Sequence, residues 1–292
     1  MKTNIDLGIY NKSYEEIENG LIPSLLSFYK KPSDAYVHPF QIINNLYYVG
    51  DKRVCAHLID TGEGLILFDA GYQHTIHLLI QSIFELGFNP KDIKYLILSH
   101  GHFDHFGACN EFRALYKCET YMSKPDCEML RQRPEASLIS FSPDPYASLP
   151  VIDHEFSDGE IIQLGNTAIK CVLSPGHSPG TSSFFFDVID SGKKYKIGYF
   201  GGTGFLTLYK DYLIKYGIDL SLRYEFIKTI EKLRKIKVDI MLGNHPSHNF
   251  TLEKRSKMLD KPEKNPFIDP NEWNEYLDQL DEQYRAFLEK DI

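Results

Sequence analysis

The strongest constraint on the possible fold is a short run of histidines with one aspartate, HGHFDH from His100 to His105. It directly follows an apolar stretch. In an extended chain, side chains two residues apart point the same way, so His100 and His102 can converge on one ion. His105 is then aimed elsewhere, and the segment serves two metal ions more easily than one. Imidazole and carboxylate are ligands that zinc accepts, and three protein ligands leave a position for water. The sequence therefore predicts a metal site in a loop that follows a strand.

Short apolar runs and one helical pattern give the order of elements. Three runs closed by Gly, Asp or Ser predict buried strands, at Tyr47–Val49, Leu65–Phe68 and Tyr95–Leu98. Apolar residues repeat at helical spacing from Ile76 to Phe84, and Gly87 is placed to end that helix. Further elements are predicted in the second half, with strands at Ile169–Leu173, Ser183–Phe186, Lys196–Phe200 and Val238–Leu242 and a helix at Tyr224–Lys235. Without a repeat or linker, we expect one mixed αβ domain over residues 1–292.

Both ends of the chain carry helical patterns. Ser13 and Glu16 form a capping box that predicts a helix within an N-terminal helical extension, residues 1–40, bent or broken near Gly20 and Pro23. Residues 262–292 carry an apolar stripe at helical spacing: Trp273, Tyr276, Leu277, Leu280, Tyr284, Phe287 and Leu288. We expect this helix to pack on the domain; a helix that binds a partner is the alternative.

A proline-rich segment, Ser137 to Pro150, predicts a long surface loop. Phe141, Tyr146 and Leu149 would give it apolar surface to lay on a substrate, so one interpretation is a wall or lid over the metals. A plain connection between elements is the other.

Composition limits the partners and the compartment. The formal net charge of -8 disfavours a phosphate backbone or an anionic membrane, so we expect neither nucleic acid nor a membrane as partner. No segment approaches the roughly 18 apolar residues of a membrane helix, and the first residues do not form a signal peptide. Five cysteines without CxxC spacing suit reduced thiols. We expect a cytoplasmic enzyme acting on a small-molecule substrate, its oligomeric state left open.

The HGHFDH run resembles the metal-binding signature of the metallo-β-lactamase superfamily. Three further motifs occur in the order that the superfamily pattern expects: Asp69 after an early apolar run, His177 within SPGHSPG, and His245 before Pro246. The resemblance extends over about Gln41 to His248. It implies an α+β fold, an αβ/βα four-layer sandwich of two mixed β-sheets flanked by helices, with the metals in loops at one edge.

One departure from the superfamily pattern narrows the resemblance. Many superfamily hydrolases carry a metal-bridging Asp before the last His, but residues 200–205 read FGGTGF and contain no carboxylate. In this respect the chain resembles the third subclass of metallo-β-lactamases. The resemblance implies two Zn²⁺ ions, held in turn by His100, His102 and His177 and by Asp104, His105 and His245.

The resemblance also implies roles around the metals. Asp104 would orient the nucleophile or relay a proton, and Asp69 would orient the ligand loop through hydrogen bonds. In the third subclass, a serine near the position that corresponds to Gly202 commonly helps to bind the carboxylate of the β-lactam drug. Gly202 has no hydroxyl. We take Gly202, Thr203 and Tyr146 as candidate substrate contacts and expect Gly202→Ser to improve a slow opening of β-lactams.

The remaining histidines are set apart from the ligand set. His248 lies near His245 in sequence and could line the pocket, but we expect a solvated loop histidine. His57, His74, His77 and His154 have no motif context and receive no role.

The sequence thus predicts a dinuclear zinc hydrolase, β-lactamase-like, in which a metal-activated hydroxide attacks a cyclic amide carbonyl. The alternative within enzymes is a zinc hydrolase of lactones, esters or thioesters. A non-catalytic metal-binding protein that interacts through its C-terminal helix is an alternative of another class.

Overall fold

Two β-sheets form the centre of the computed structural model, which describes residues 13–142 and 144–291. The first sheet has seven strands that follow one another in chain order: β1 (Phe40–Ile43), β2 (Leu46–Tyr48), β3 (His57–Asp60), β4 (Leu65–Phe68), β5 (Ile93–Ile97), β6 (Glu119–Ser123) and β7 (His154–Phe156). The second has five, in the order β12-β11-β10-β9-β8: β8 (Ile161–Leu164), β9 (Thr167–Leu173), β10 (Ser182–Asp190), β11 (Lys193–Phe200) and β12 (Ile240–Gly243). Strands β4 to β7 pair in parallel, as do β11 and β12, so both sheets are mixed.

Among the described residues, α-helices pack on the two sheets or lie in the loops between strands. They are α1 (Tyr14–Tyr29), α2 (Ile76–Glu85), α3 (Phe103–Phe106), α4 (Cys109–Tyr116), α5 (Lys124–Gln132), α6 (Lys210–Lys215), α7 (Leu222–Leu233), α8 (Thr251–Asp260) and α9 (Glu272–Lys290). Within the described ranges, none of them combines the length and the apolar character that a membrane crossing requires.

The apolar core lies in two places, as a four-layer arrangement requires. Between the sheets, the ring of Phe68 contacts those of Phe184 and Tyr199 at centroid distances of 5.0 and 5.3 Å. A second cluster joins the helices to the outer sheet faces, where Trp273 of α9 contacts Phe185 of β10 at 5.6 Å. Alternate residues of these strands therefore face different cores. The predicted α+β sandwich is confirmed.

The two terminal helices differ in how closely they follow the sequence pattern. The amide of Glu16 donates to the Ser13 hydroxyl at 3.2 Å and starts α1, which continues past Gly20 and Pro23. The helix is therefore not broken there, and the expected bend stays a prediction. Residues 1–12 of the predicted extension lie outside the described residues, as do Pro143 and Ile292. Helix α9 buries the stripe from Trp273 to Phe287 against the domain, and Leu288 is partly buried.

One edge of the sandwich collects the loops that carry the polar motifs. Because β4 and β5 run in parallel, Asp69 and Ser99 emerge side by side, and the amide of Asp69 donates to the Ile97 carbonyl at 3.0 Å. The second sheet meets this edge where the Ser182 amide donates to the Ser99 carbonyl at 2.9 Å. Loops that are far apart in sequence thus form one polar surface at this edge.

Candidate metal centre

The first group of predicted ligands joins two loops at this edge. His100 and His102 lie between β5 and α3, and His177 lies in the turn between β9 and β10. His102 Nδ1 is 3.0 Å from His177 Nε2, and one ring nitrogen from each of the three residues falls within 4.8 Å of the others. All three rings are at least partly buried. The structure therefore brings the first predicted triplet together.

The second group combines α3 with the loop after β12. His105 Nε2 lies 3.2 Å from His245 Nε2, and Asp104 Oδ2 lies 3.5 and 3.6 Å from these two nitrogens. Zinc bonds of about 2.1 Å at tetrahedral angles place ligand atoms about 3.4 Å apart. The second triplet thus has the dimensions of a zinc site. It adjoins the first triplet, because the His100 and His105 ring centroids are 4.2 Å apart.

The hydrogen-bonding state of the rings tests whether this donor set suits a metal. His177 Nδ1 donates to the Gly204 carbonyl at 2.8 Å and His245 Nδ1 to the Arg53 carbonyl at 2.7 Å, so each Nε2 keeps its lone pair. His100 Nε2 is buried and has no hydrogen-bond partner among the described residues. A metal site requires buried nitrogens that make no hydrogen bond of their own, next to ligand rings that hydrogen bonds hold in place. These residues therefore fit zinc.

Burial sets the protonation of these rings. It lowers the pKa of His100 and His102 well below the ordinary value and that of His177 to about 4. Burial also disfavours the charged form of His105, but nearby carboxylates, Asp104 foremost, outweigh it and raise its pKa. The first triplet is therefore neutral at neutral pH, the form of imidazole that binds metal.

Asp69 holds the ligand loop from behind. Its buried carboxylate accepts from the Ser99 amide at 2.7 Å, the Ser99 hydroxyl at 2.8 Å, His105 Nδ1 at 2.9 Å and the Tyr199 hydroxyl at 2.5 Å. Its backbone lies in the left-handed region at φ 57°, uncommon for a residue with a side chain. This position suits the orienting role expected for Asp69 rather than that of a ligand.

Asp126 holds the two loops of the first triplet in place through hydrogen bonds, as Asp69 holds His105. This role was not predicted from the sequence. Its fully buried carboxylate accepts from the Gly101 amide at 2.7 Å, the Ser178 hydroxyl at 2.7 Å and the Gly180 amide at 2.6 Å. These donors flank His100, His102 and His177. In the sequence, Asp126 is an ordinary acidic residue in the first turn of a helix, after the N-cap Ser123. No sequence motif therefore distinguished it as a residue that holds the ligand loops.

The three predicted substrate contacts, Gly202, Thr203 and Tyr146, differ in their surroundings. A Cβ added at Gly202 would lie 2.6 Å from His177 Cδ2, so a serine there would displace a proposed ligand. This close contact argues against the expected gain from Gly202→Ser. Thr203 is buried, with its hydroxyl 3.0 Å from His248 Nε2. Tyr146 is 81% exposed on its loop.

His248 corrects another expectation. It is 5% exposed rather than solvated, and its ring centroid lies 5.2 Å from that of His245. The short loop after β12 turns back on itself, since the His248 amide donates to the His245 carbonyl at 3.0 Å. That turn places the ring behind the second triplet.

The proline-rich segment is more regular than expected. A 3₁₀ turn at Pro134–Ser137 leads into it, since proline suits the first turn of a helix, and a second 3₁₀ turn follows at Ile139–Phe141. Phe141 is buried in the core, so it offers no surface to a substrate, contrary to expectation. The Ser142 hydroxyl instead lies 3.1 Å from that of Tyr29, at the end of α1.

The chain resembles known proteins in sequence. Residues 49–188 match the family model of the metallo-beta-lactamase superfamily. The chain is 28% identical over 232 residues to the probable metallo-hydrolase YqgX of Bacillus subtilis, covering 75% of this chain and 94% of that protein. It is 32% identical over 135 residues to the hydroxyacylglutathione hydrolase GloC of Haemophilus influenzae, covering 46% and 60%.

A solved structure extends the likeness to the fold. BJP-1, a subclass B3 metallo-beta-lactamase of Bradyrhizobium japonicum, superposes with a TM-score of 0.79 at 28% identity, covering 88% of this chain and 96% of that one. Subclass B3 is the third subclass, which the missing carboxylate at residues 200–205 indicated. Residues 49–188 thus carry a domain of the metallo-beta-lactamase superfamily, whose members are metal-dependent hydrolases, and the fold resembles that of a subclass B3 enzyme.

Proposed function

We propose that the protein is a dinuclear zinc-dependent hydrolase, β-lactamase-like, that opens a cyclic amide. The observation that carries this proposal is the pair of adjoining triplets, combined with a segment from Phe200 to Phe205 that supplies no carboxylate to bridge them. The first triplet gathers one ring nitrogen from each histidine within 4.8 Å of the others, and the second has the dimensions of a zinc site. His100, His102 and His177 would hold one ion, and Asp104, His105 and His245 the other.

The chain's own groups prepare this chemistry. Bound zinc would supply a water nucleophile of lowered pKa and polarise a carbonyl. His177 and His245 are oriented by backbone carbonyls, and Asp69 orients His105, so little reorganisation accompanies the reaction. Asp104, whose carboxylate oxygen lies beside His105 and His245 in the second triplet, would also orient the attacking water or take up its proton.

A second candidate is hydrolysis of a lactone, ester or thioester. It is supported by the likeness to the hydroxyacylglutathione hydrolase, a name that describes cleavage of an acyl group from glutathione. The two candidates share the metal centre and differ in the leaving group, nitrogen against oxygen or sulfur. The absent bridging carboxylate favours the first candidate.

A substrate panel tests the proposal. The zinc-loaded protein, the chelated protein and the His102→Ala variant are assayed with nitrocefin, a lactone and a thioester. We expect measurable turnover of nitrocefin, loss of at least about a hundredfold on chelation and in His102→Ala, and an unchanged circular dichroism spectrum. The exposed His77→Ala is the matched control and should leave turnover intact. Full turnover by His102→Ala would refute the metal mechanism, and turnover of the thioester alone would select the second candidate.

A further inference from the structure

A basic cleft lies beside the candidate metal centre, at the end of α1. Its volume is about 450 Å³, and four cations line it together with a single carboxylate, Asp34: they are Lys30, Lys31, Lys52 and Arg53. The chain as a whole has a net charge of -8, so this cleft reverses the sign of the average surface. Concentrated positive charge in a concave site raises the local concentration of anions.

The cations of the cleft are left without carboxylate partners. Among the side chains that the structure describes, no ion pair engages Lys30, Lys31, Lys52 or Arg53. Lys52 Nζ donates to the backbone carbonyl of Asp34 at 2.7 Å. The Arg53 guanidinium rests on the ring of Phe28, with Cζ 4.5 Å from the ring centroid. A guanidinium held by an aromatic face keeps its planar set of donors free for a carboxylate or phosphate.

Arg53 connects the cleft to the metal centre through its own backbone. Its carbonyl accepts the 2.7 Å hydrogen bond from Nδ1 of His245, a proposed ligand, and its amide donates to the buried Asp51 carboxylate at 2.7 Å. The backbone of Arg53 is therefore fixed at the rim of the second triplet, while its exposed side chain extends into the cleft. Since Arg53 lines the cleft and its carbonyl contacts a proposed ligand, the cleft adjoins the second triplet.

We propose that Arg53 and the basic cleft select substrates that carry an anionic group, a carboxylate or a phosphate, distal to the bond that is hydrolysed. This inference rests on the proposed function. The anion would form charge-assisted hydrogen bonds to the Arg53 guanidinium, with the three lysines adding long-range attraction. Arg53 is thus a specificity residue and takes no part in the bond cleavage.

Matched substrates that differ only in the distal charge test this. One pair is glutaryl- and pentanoyl-aminocephalosporanic acid, for the cyclic amide reaction; the other is p-nitrophenyl hydrogen adipate and p-nitrophenyl hexanoate, for the ester reaction. We expect the zinc-loaded wild type to favour the anionic member in kcat/KM by about three- to tenfold, and Arg53→Gln to bring that ratio close to one. Arg53→Lys should keep part of the preference, and added salt should weaken it. The exposed Lys235→Gln is the control for loss of a positive charge elsewhere.

The outcomes separate this inference from the proposed function. Turnover with the same anionic preference in wild type and Arg53→Gln, or with no preference at all, overturns the inference and leaves the hydrolase intact. No zinc-dependent turnover of either pair overturns the proposed function. Calorimetric titration with adipate is independent of turnover: affinity that falls about three- to tenfold in Arg53→Gln supports the anion site, and unchanged affinity contradicts it.

Discussion

Replacing Gly202 by alanine should weaken the first triplet without unfolding the protein. A Cβ at this position would lie 2.6 Å from Cδ2, 3.1 Å from Cγ and 3.3 Å from Cβ of His177. Ordinary carbon contacts begin near about 3.5 Å, so one of the two residues must move by roughly 0.9 Å. Gly202 follows β11, which is paired on both sides, so the His177 ring is the part that gives way.

The displaced ring cannot keep its present contacts. His177 Nδ1 donates to the Gly204 carbonyl at 2.8 Å, and Thr207 Oγ1 donates to the His177 carbonyl at 2.6 Å, so a shift lengthens at least one of these bonds. Changes that misorient a metal ligand typically reduce metal affinity or activity about 10- to 100-fold. We expect a loss of this size in zinc affinity, measured by competition with a chromogenic chelator, and a parallel loss in kcat/KM.

A substitution at a second glycine is the control, because it introduces backbone strain without a steric contact. Gly192, in the turn between β10 and β11, has φ 78°, and a Cβ there would meet no atom within 4 Å. Gly192→Ala should therefore cost about 1 kcal/mol of unfolding free energy and leave zinc affinity unchanged. If Gly202→Ala binds zinc as tightly as wild type, the proposed place of His177 in the first triplet is wrong.

Two further changes probe groups around the site, and a third probes an ion pair near the start of β6. Asp126→Ala leaves two buried backbone N–H groups without an acceptor, so the free energy of unfolding in urea should fall by about 2–6 kcal/mol; a fall below about 1 kcal/mol would contradict the bridging role. Asp69→Asn should reduce zinc affinity about 10- to 100-fold through His105, and a chelator titration equal to wild type would exclude that role. Arg113 lowers the pKa of Asp153 from 3.8 to about 2, so this pair stabilises the fold above about pH 4 and the stabilisation is lost as pH falls through 2; in acid titrations, the stability difference between wild type and Asp153→Asn should shrink over that range, and a constant difference would count against it.

The residues proposed as metal ligands could be predicted because metal binding requires particular side chains within one short segment. The proposed ligands lie in short motifs that also contain glycine or proline, namely HGHFDH, SPGHSPG and NHP. The local sequence is therefore enough to recognise them. The groups that hold these ligands in place have no such signal. Asp126 and Tyr199 act through contacts with residues far away in the chain, and these contacts depend on the topology of the two sheets.

The fold was predicted best where burial is continuous along the chain. Strand β4 is buried at every position, and its predicted limits agree with the structure. Strand β7 was missed because two of its three residues are exposed and polar, which a short polar connection would also show. Gly202 illustrates a different limit: its proximity to His177 depends on the packing of β11 against the turn after β9, so the steric effect of a side chain there required the structure.

Metal content in paired variants tests the central claim most directly. Protein purified without chelator and dialysed against zinc should contain about two equivalents per chain by plasma emission spectroscopy, because the ligands divide into two sets of three. His177→Ala and His245→Ala should each retain about one equivalent, and the double variant none. A single equivalent in wild type that added zinc does not increase, or the same loss in either variant alone as in both together, would contradict two separate triplets.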